Sequence, residues 1–267
     1  MALDLLAHVR DESARFVEVL RGADPAARVP SCPDWSADDL LWHLTEVHWF
    51  WATVVAGRIT DGAAIEDAEG STPERPTDRD ALLALYDVTT ADLLTALAAA
   101  DDAERVWTWS ADQSVGFVRR FQAHEALIHR VDAELAAGLS PSPLPTGLAD
   151  DGIDVVLRIG KTWRPGWADW QLTDTVGRVH ATDTDRRWTV RLGRWSGTSP
   201  DTGKAYDGVT AIELVDDNGQ TSVEPVFSVH GGAADLDAWL WARPGFGDVT
   251  ITGPADEFVG LVKAGMQ

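Results

Sequence analysis

Cysteine, basic residues and long apolar runs are all scarce in this sequence. Only one of its 267 residues, Cys32, is a cysteine, so the chain forms no internal disulfide. We find no apolar run that approaches the length of a membrane span. The opening stretch MALDLLAHVRDESARF is charged within four residues and does not resemble a signal peptide. These features predict a cytoplasmic protein that makes no membrane contact.

The shortage of positive charge bears on the partners of the protein. Acidic residues outnumber Lys and Arg by 43 to 22, which gives a formal net charge of −21. Such a charge repels phosphate backbones and argues against nucleic-acid binding. Hydrophobic residues make up 45% of the chain, and 13 are tryptophans. Most of the tryptophans are expected in a core, with an aromatic-lined pocket as the alternative.

Four segments of the first half have apolar residues at helical spacing and predict a four-helix bundle. Ser36 and Asp39, three residues apart, predict a capping box where the second helix begins. The predicted helices cover about residues 3–22, 37–56, 79–100 and 117–135.

The fourth predicted helix contains a candidate pair of metal ligands. Glu125 and His129 are four residues apart, so they lie one turn apart on the same flank, at the edge of the apolar stripe. Arg119 and Arg130 are expected on the face opposite that stripe. The pair has two interpretations, a hydrogen-bonded closure of the bundle rim or two ligands of a divalent metal.

A third candidate ligand, His43, lies on the second predicted helix. Taken alone, it is expected to be a histidine at the edge of the core. Side chains that project inward from facing helices often build the site of a bundle, so His43 could meet Glu125 and His129 there. Two histidines and a glutamate form a catalytic zinc set with one open position, whereas a structural zinc would use several cysteines.

The second half of the chain predicts a separate α+β domain with an antiparallel sheet. The Pro-rich stretch from Ser140 to Gly147 is typical of an interdomain linker, so we expect domains at residues 1–139 and 148–267. The predicted strands cover residues 170–175, 187–192, 209–215, 223–229 and 248–252, and the predicted helices 152–159, 231–241 and 254–262.

Two stretches of the first half together resemble a known enzyme family. VPSCPDWSADDLLWHL, from Val29 to Leu44, and HEALIHRVD, from His124 to Asp132, are similar to the mycothiol-dependent maleylpyruvate isomerase family. That family belongs to the DinB-type metal-binding bundle superfamily. The tail VHGGAADLDAWLWAR, followed by DVTITGP, resembles the family's small C-terminal α+β domain. Asp34 stands where the family pattern often has glycine, which alters a turn near the site and no ligand.

The resemblance implies a divalent metal, usually zinc, bound by His43, Glu125 and His129, and mycothiol as the thiol cosubstrate. Zinc deprotonates a coordinated thiol, whose pKa is otherwise about 8.5. The metal thiolate would attack a small-molecule electrophile, with isomerisation or S-transfer as the outcome. The resemblance also makes Arg243 a candidate catalytic residue that binds an anion, the alternative being an arginine that caps a helix end.

Several alternatives stay open at this point. The chain is predicted to be an enzyme, but a noncatalytic binding or resistance protein of the same fold and a metal-dependent hydrolase are the other candidates. Asp132 is expected to be a solvated residue at the bundle edge, the alternative being that it orients a metal ligand. Cys32 is expected to be a packing residue. The sequence leaves open a monomer or a homodimer.

Overall fold

The structure is a computed structural model that describes residues 3–215 and 224–265. Contacts between Cα atoms divide the chain into two compact units, residues 1–142 and 143–267. The division falls inside the stretch from Ser140 to Gly147 that the sequence indicates as a linker. The domain boundaries at residues 139 and 148 stay a prediction.

The N-terminal unit consists of helices and one short hairpin, and the helical bundle that the sequence predicts is confirmed. Helix α2 packs mainly on α4, and α1 packs mainly on α5. A short helix, α3, lies in the connection that the sequence predicted as a loop. The elements are α1 (Leu5–Gly22), β1 (Arg28–Val29), β2 (Cys32–Ser36), α2 (Ala37–Gly57), α3 (Gly62–Glu69), α4 (Arg79–Ala99) and α5 (Val115–Ala136).

Each long helix of this unit begins at a side chain that accepts a hydrogen bond from the first turn. Asp4 and Asp78 cap α1 and α4, and Ser114 caps α5. At α2 the predicted capping box is confirmed, because Ser36 accepts from the backbone of Asp39 while the Asp39 carboxylate accepts from the backbone of Ser36. This capping box fixes the start of α2 six residues before His43, and so fixes which flank of the helix His43 occupies.

Helix α4 is long and apolar enough to cross a membrane by length and composition alone, with a mean hydropathy of 1.4. The sequence prediction concerns uninterrupted apolar runs, and this helix is not one, because Asp87 and Asp92 divide it. Its average hydropathy is high because the residues on either side of these two charges are mostly apolar. In the bundle, Leu82, Tyr86 and Leu93 of this helix are buried, as in the core helix of a globular domain.

Arg130, which the sequence places on the face opposite the apolar stripe of α5, is buried there. Its side chain is 2% exposed and donates to Glu12 at 2.9 Å and to Glu134 at 2.8 Å. Helix α1 covers this side of α5, and the two carboxylates offset the cost of burying the guanidinium. The Ser142 carbonyl accepts a further bond from Arg130 at 2.9 Å.

The C-terminal unit has the predicted α+β composition, but its sheet is mixed. The strand order is β5-β4-β3-β6-β7, in which β3 and β6 run parallel and the other neighbours run antiparallel. The prediction of a wholly antiparallel sheet is wrong for this one pair, because strand periodicity does not reveal which strands become neighbours. The elements are α6 (Thr146–Val155) with a π-helical turn (Val156–Gly160), β3 (Asp169–Ala181), β4 (Arg186–Thr198), β5 (Ala205–Val215), β6 (Phe227–Gly231), α7 (Ala233–Leu240), β7 (Thr250–Thr252) and α8 (Asp256–Lys263).

The predicted strand at residues 223–229 begins at Val223, which lies outside the described residues. The described strand, β6, starts four positions later, at Phe227.

Candidate metal centre

The three side chains proposed as metal ligands meet between α2 and α5. His43 comes from α2, and Glu125 and His129 lie one turn apart on α5. Oε1 of Glu125 lies 3.4 Å from Nε2 of His43 and 3.3 Å from Nε2 of His129. One donor atom from each residue lies within 4.8 Å of the other two. The arrangement therefore presents two imidazole nitrogens and one carboxylate oxygen to a common point.

This spacing fits a tetrahedral divalent ion. With metal–ligand bonds of about 2.0–2.2 Å, neighbouring corners of a tetrahedron are about 3.3 Å apart. Three protein ligands leave the fourth position for water or substrate, as in catalytic zinc sites. The side chain of His43 is 32% exposed while that of His129 is 9% exposed, so solvent reaches the group from the side of His43.

Asp132 and Ser31 orient one of these ligands. Oδ2 of Asp132 lies 3.0 Å from Nδ1 of His129, and the Ser31 hydroxyl donates to Oδ1 of Asp132. The expectation that Asp132 is solvated is wrong, since the residue is fully buried. The hairpin of β1 and β2, which contains Ser31, covers this part of α5. A carboxylate on Nδ1 leaves Nε2 of His129 free to face an ion, which is the usual support of a ligating histidine.

The same hairpin carries an aromatic ring to the rim of the group. The centroid of the Trp35 ring lies 4.8 Å from that of His43 and 6.4 Å from that of His129. The His43 and His129 rings are themselves 4.8 Å apart and nearly perpendicular. Trp35 thus restricts the rotation of His43, which has less hydrogen-bonding support than His129.

Without a metal ion, the electrostatics of the group favour a proton on His129. Burial lowers the pKa of His129, but hydrogen bonds to Asp132 and Glu125 outweigh it and raise the pKa to about 9. Burial raises the pKa of Glu125, but the two histidines outweigh it and leave that pKa below its ordinary value. The pocket therefore stabilises positive charge next to Glu125.

Two further histidines of the bundle and Cys32 lie outside this group. His48 is fully buried, its Nδ1 lies 2.8 Å from the Thr90 hydroxyl, and burial lowers its pKa to about 3. His124 is fully buried in the helix bundle. Cys32 is partly buried and packs against the apolar core of the N-terminal unit.

Arg243 belongs to the C-terminal unit and follows α7. Its Nη1 donates to the Trp241 carbonyl at 2.7 Å, at the end of that helix. Burial lowers the pKa of Lys161 to about 8, and the positive charge of Arg243 contributes to the decrease. The cationic side chains of Lys161 and Arg243 are therefore near each other in this unit. The hydrogen bond from Arg243 to the Trp241 carbonyl is the one that an arginine capping the end of α7 would make.

The N-terminal unit is similar to a known family of protein domains. Residues 6–134 match the family model described as the mycothiol maleylpyruvate isomerase N-terminal domain. The N-terminal unit therefore matches the domain of this family, over slightly less than half of the chain. The family prediction is confirmed, and with it the prediction that the chain is an enzyme. A comparison with curated protein sequences finds no match.

Solved structures extend the likeness to both units. Two crystal structures, of the mycothiol-dependent maleylpyruvate isomerase and of a histidine-to-alanine mutant of it, give TM-scores of 0.58 and 0.60. Each is 14% identical to this chain and covers 93% of it and 92% of its own length. At this identity the likeness establishes the fold, a helical domain followed by an α+β domain.

Proposed function

We propose that this protein is a metal-dependent isomerase or transferase that uses mycothiol as its thiol cosubstrate. The observation that carries the proposal is the convergence of His43, Glu125 and His129 on one point, at ligand spacing, in a domain of this family. A divalent cation, which we propose to be zinc, would supply thiol activation there by lowering the pKa of a coordinated thiol.

The residues of the chain have separate tasks in this scheme. His43, Glu125 and His129 would hold the ion as its three protein ligands. Asp132 and Ser31 keep Nε2 of His129 turned toward Glu125, where the ion would bind. The partial burial of the group limits the access of water, which would strengthen the attraction between the cation and a sulfur anion.

The proposed chemistry begins with addition of sulfur to carbon. The thiol proton leaves to solvent, and the sulfur lone pair forms an S–C bond with one carbon of a double bond conjugated to a carbonyl. The π electrons move to the carbonyl oxygen, so the former double bond becomes a single bond and rotates. When the electrons return, the S–C bond breaks, and the thiolate leaves with the double bond isomerised. If a proton is added to carbon instead, the thioether is the product of an S-transfer.

Arg243 is proposed to bind an anionic group in the reaction. The support is its position in the WLWAR stretch and the neighbouring charge of Lys161, because two close cations are stabilised by an anion. Arg243→Lys should retain part of the activity and Arg243→Gln should raise KM for an anionic reactant. Equal KM values for Arg243→Gln and the unchanged protein would leave only the helix-capping role.

The partners that follow are mycothiol and a small-molecule electrophile, in a cytoplasmic setting consistent with the single cysteine. The test is mass spectrometry of the full chain, loaded with Zn²⁺ and incubated with mycothiol and a panel of electrophiles. Consumption or cis–trans conversion that requires both metal and mycothiol supports the proposal. Stoichiometric binding without turnover would indicate a binding protein, and hydrolysis without thiol would indicate a hydrolase; either result contradicts it.

A further inference from the structure

One connection of the N-terminal unit touches both helices that carry the candidate ligands. The segment between α4 and α5 contains Trp107, whose backbone N–H donates to Ile59 at 2.6 Å, just after α2. The Trp107 ring lies 6.1 Å from Phe50 and 6.4 Å from Trp51, both on α2. The segment is thereby fixed to the C-terminal half of α2.

Two residues later, Trp109 packs on α5 instead. Its ring centroid lies 5.5 Å from Phe117 and 5.2 Å from Phe121, both in edge-on geometry. Phe117 and Phe121 stack on each other at 5.9 Å. The segment thus bridges α2 and α5. We call Trp109, Phe117 and Phe121 the aromatic wall, and it lies at the N-terminal end of α5, before Glu125.

Helix register puts this wall next to the metal ligands. Phe121 precedes Glu125 by four residues and lies on the same flank of α5. On α2, Phe50 follows His43 by seven residues, two turns further along the same flank. The Trp35 ring centroid lies 4.8 Å from that of His43.

The outermost ring of the wall is both exposed and held in place. Trp109 is 46% exposed, which is unusual for so large an apolar side chain. The adjoining turn is rigid, because the Thr108 hydroxyl donates to the Asp112 carbonyl at 2.7 Å and the Gln113 amide donates to the Ser110 carbonyl at 2.7 Å. An exposed tryptophan in a rigid turn loses little conformational entropy when it contacts a ligand.

The wall fits an apolar group better than a charged one. Glu46, one turn after His43 on α2, is partly buried, and Arg75, whose charge acts on Glu46, is already paired with Asp39 at 2.6 Å. An apolar ring placed against Phe121 and Trp109 would replace water there.

We propose that the electrophile of this site is a compound whose reactive carbon is joined to an aromatic ring, and that this ring binds against Phe121 and Trp109. The inference rests on the proposed function, which supplies the open position beside Glu125. It adds the class of substrate and the two residues that select it.

A pair of matched ketones tests the binding step without any thiol. Benzylacetone and methyl propyl ketone are unreactive and differ in a phenyl group, so their Kd values on the Zn²⁺-loaded full chain report the contribution of the ring. We expect benzylacetone to bind more than about tenfold tighter, since apolar groups in a fitted pocket discriminate to at least this extent. Equal affinities would overturn the proposal, even if mycothiol-dependent turnover is observed.

Variants of the wall assign the preference to its residues. Trp109→Ala and Phe121→Leu should each reduce the ratio of the two Kd values by about threefold or more, with zinc content unchanged. Trp163→Leu removes a tryptophan that is 60% exposed in the C-terminal unit and should leave the ratio unchanged. If the ratio of the two Kd values is unchanged in both wall variants, the phenyl ring binds elsewhere and the assignment is refuted.

Turnover separates this inference from the proposed function. With mycothiol present, benzylideneacetone should react with a higher kcat/KM than ethylideneacetone, and both should react faster than maleate. No reaction with any of them, together with a retained preference for benzylacetone, would contradict the proposed chemistry and leave the ring site standing. Faster reaction of maleate would overturn the ring site and leave the thiol chemistry standing.

Discussion

Asp132 and His129, three residues apart on α5, are joined by a contact of 3.0 Å between Oδ2 and Nδ1. The carboxylate is fully buried and its other oxygen accepts from Ser31 in the β1–β2 hairpin. Ser31 of the hairpin, the Asp132 carboxylate and the candidate ligand His129 therefore form one chain of contacts. Through it, the segment that precedes α2 controls the orientation of a side chain on α5.

This chain of contacts predicts that Asp132→Asn weakens metal binding. The asparagine amide lacks the negative charge that makes Nε2 of His129 a strong metal ligand. Zinc affinity should therefore fall by about 10- to 100-fold. Competition with a chromophoric chelator measures the change, and the visible spectrum of the Co²⁺-loaded protein reports any altered geometry. Asp87→Asn, at an exposed ion pair with Arg21 on the same unit, is the matched control. An unchanged affinity in Asp132→Asn would remove Asp132 from the site.

The ligand assignment predicts that His43→Ala loses most of the bound metal. Two donors remain on α5, and one helix alone does not complete a site with three protein ligands. Metal per chain, measured by plasma emission after dialysis, should fall well below one. His8→Ala, on α1, removes a histidine outside the group and should retain the metal. One ion per chain in His43→Ala would show that the ligand set is wrong.

The raised pKa of His129 predicts that metal binding releases a proton. In the metal-free protein that pKa is about 9, so the imidazole carries a proton at neutral pH that an incoming cation must displace. Zinc affinity should therefore rise with pH from about 7 to 9 and level off above that range. Calorimetric titration in buffers of different ionisation enthalpy should show about one proton released per ion at neutral pH. No buffer dependence would mean that His129 is already neutral.

The sequence predicts the long helices and the spacing of the α5 ligands well, because both depend on local periodicity. It does not reveal the burial of Arg130 and Asp132, which depends on what packs against α5. Helix α1 supplies Glu12 to Arg130, and the hairpin supplies Ser31 to Asp132. These contacts join positions 101 and 118 residues apart, which no helical pattern encodes.

The C-terminal unit shows the same limit in its sheet. Alternation identifies β4 around Trp188, Val190 and Leu192, all of them buried. It underestimates the length of β3 and β4. The buried half of β3, residues 176–181, is missed because Gly177, Arg178 and His180 interrupt its apolar letters, and the prediction for β4 stops six residues before its end. The parallel pairing of β3 with β6 depends on how the chain returns to the sheet, and strand periodicity carries no information on that.

A buried carboxyl in the C-terminal unit gives the last prediction. Asp237 on α7 is fully buried, and within residues 3–215 and 224–265 no donor makes a well-formed hydrogen bond to either of its oxygens. It lies against Gly152 of α6, where a Cβ would come within 2.5 Å of Oδ1. Burial raises the pKa of Asp237 well above its ordinary value, with the nearby Trp241 indole opposing the rise and the charge of Asp151 adding to it.

The sign of the effect on stability follows from this shift. The folded state retains a proton that the unfolded state releases above about pH 4, so the free energy of unfolding decreases as pH rises until it passes the folded-state pKa. Asp237→Asn removes this titration and fills the same volume. We expect its Tm to exceed that of the unchanged protein by about 2–4 °C at pH 8 and to be nearly equal at pH 4.

Differential scanning calorimetry of the full chain between pH 4 and 8 measures the difference. Asp201→Asn, in the exposed turn between β4 and β5, removes a carboxylate of the same unit without burial and should follow the unchanged protein at every pH. Because the cost of burying the charge grows with pH, a gain in Tm that is constant across the range would point to a packing effect of the amide. A lower Tm at pH 8 would show that the Asp237 carboxylate is paired and stabilising in the folded protein.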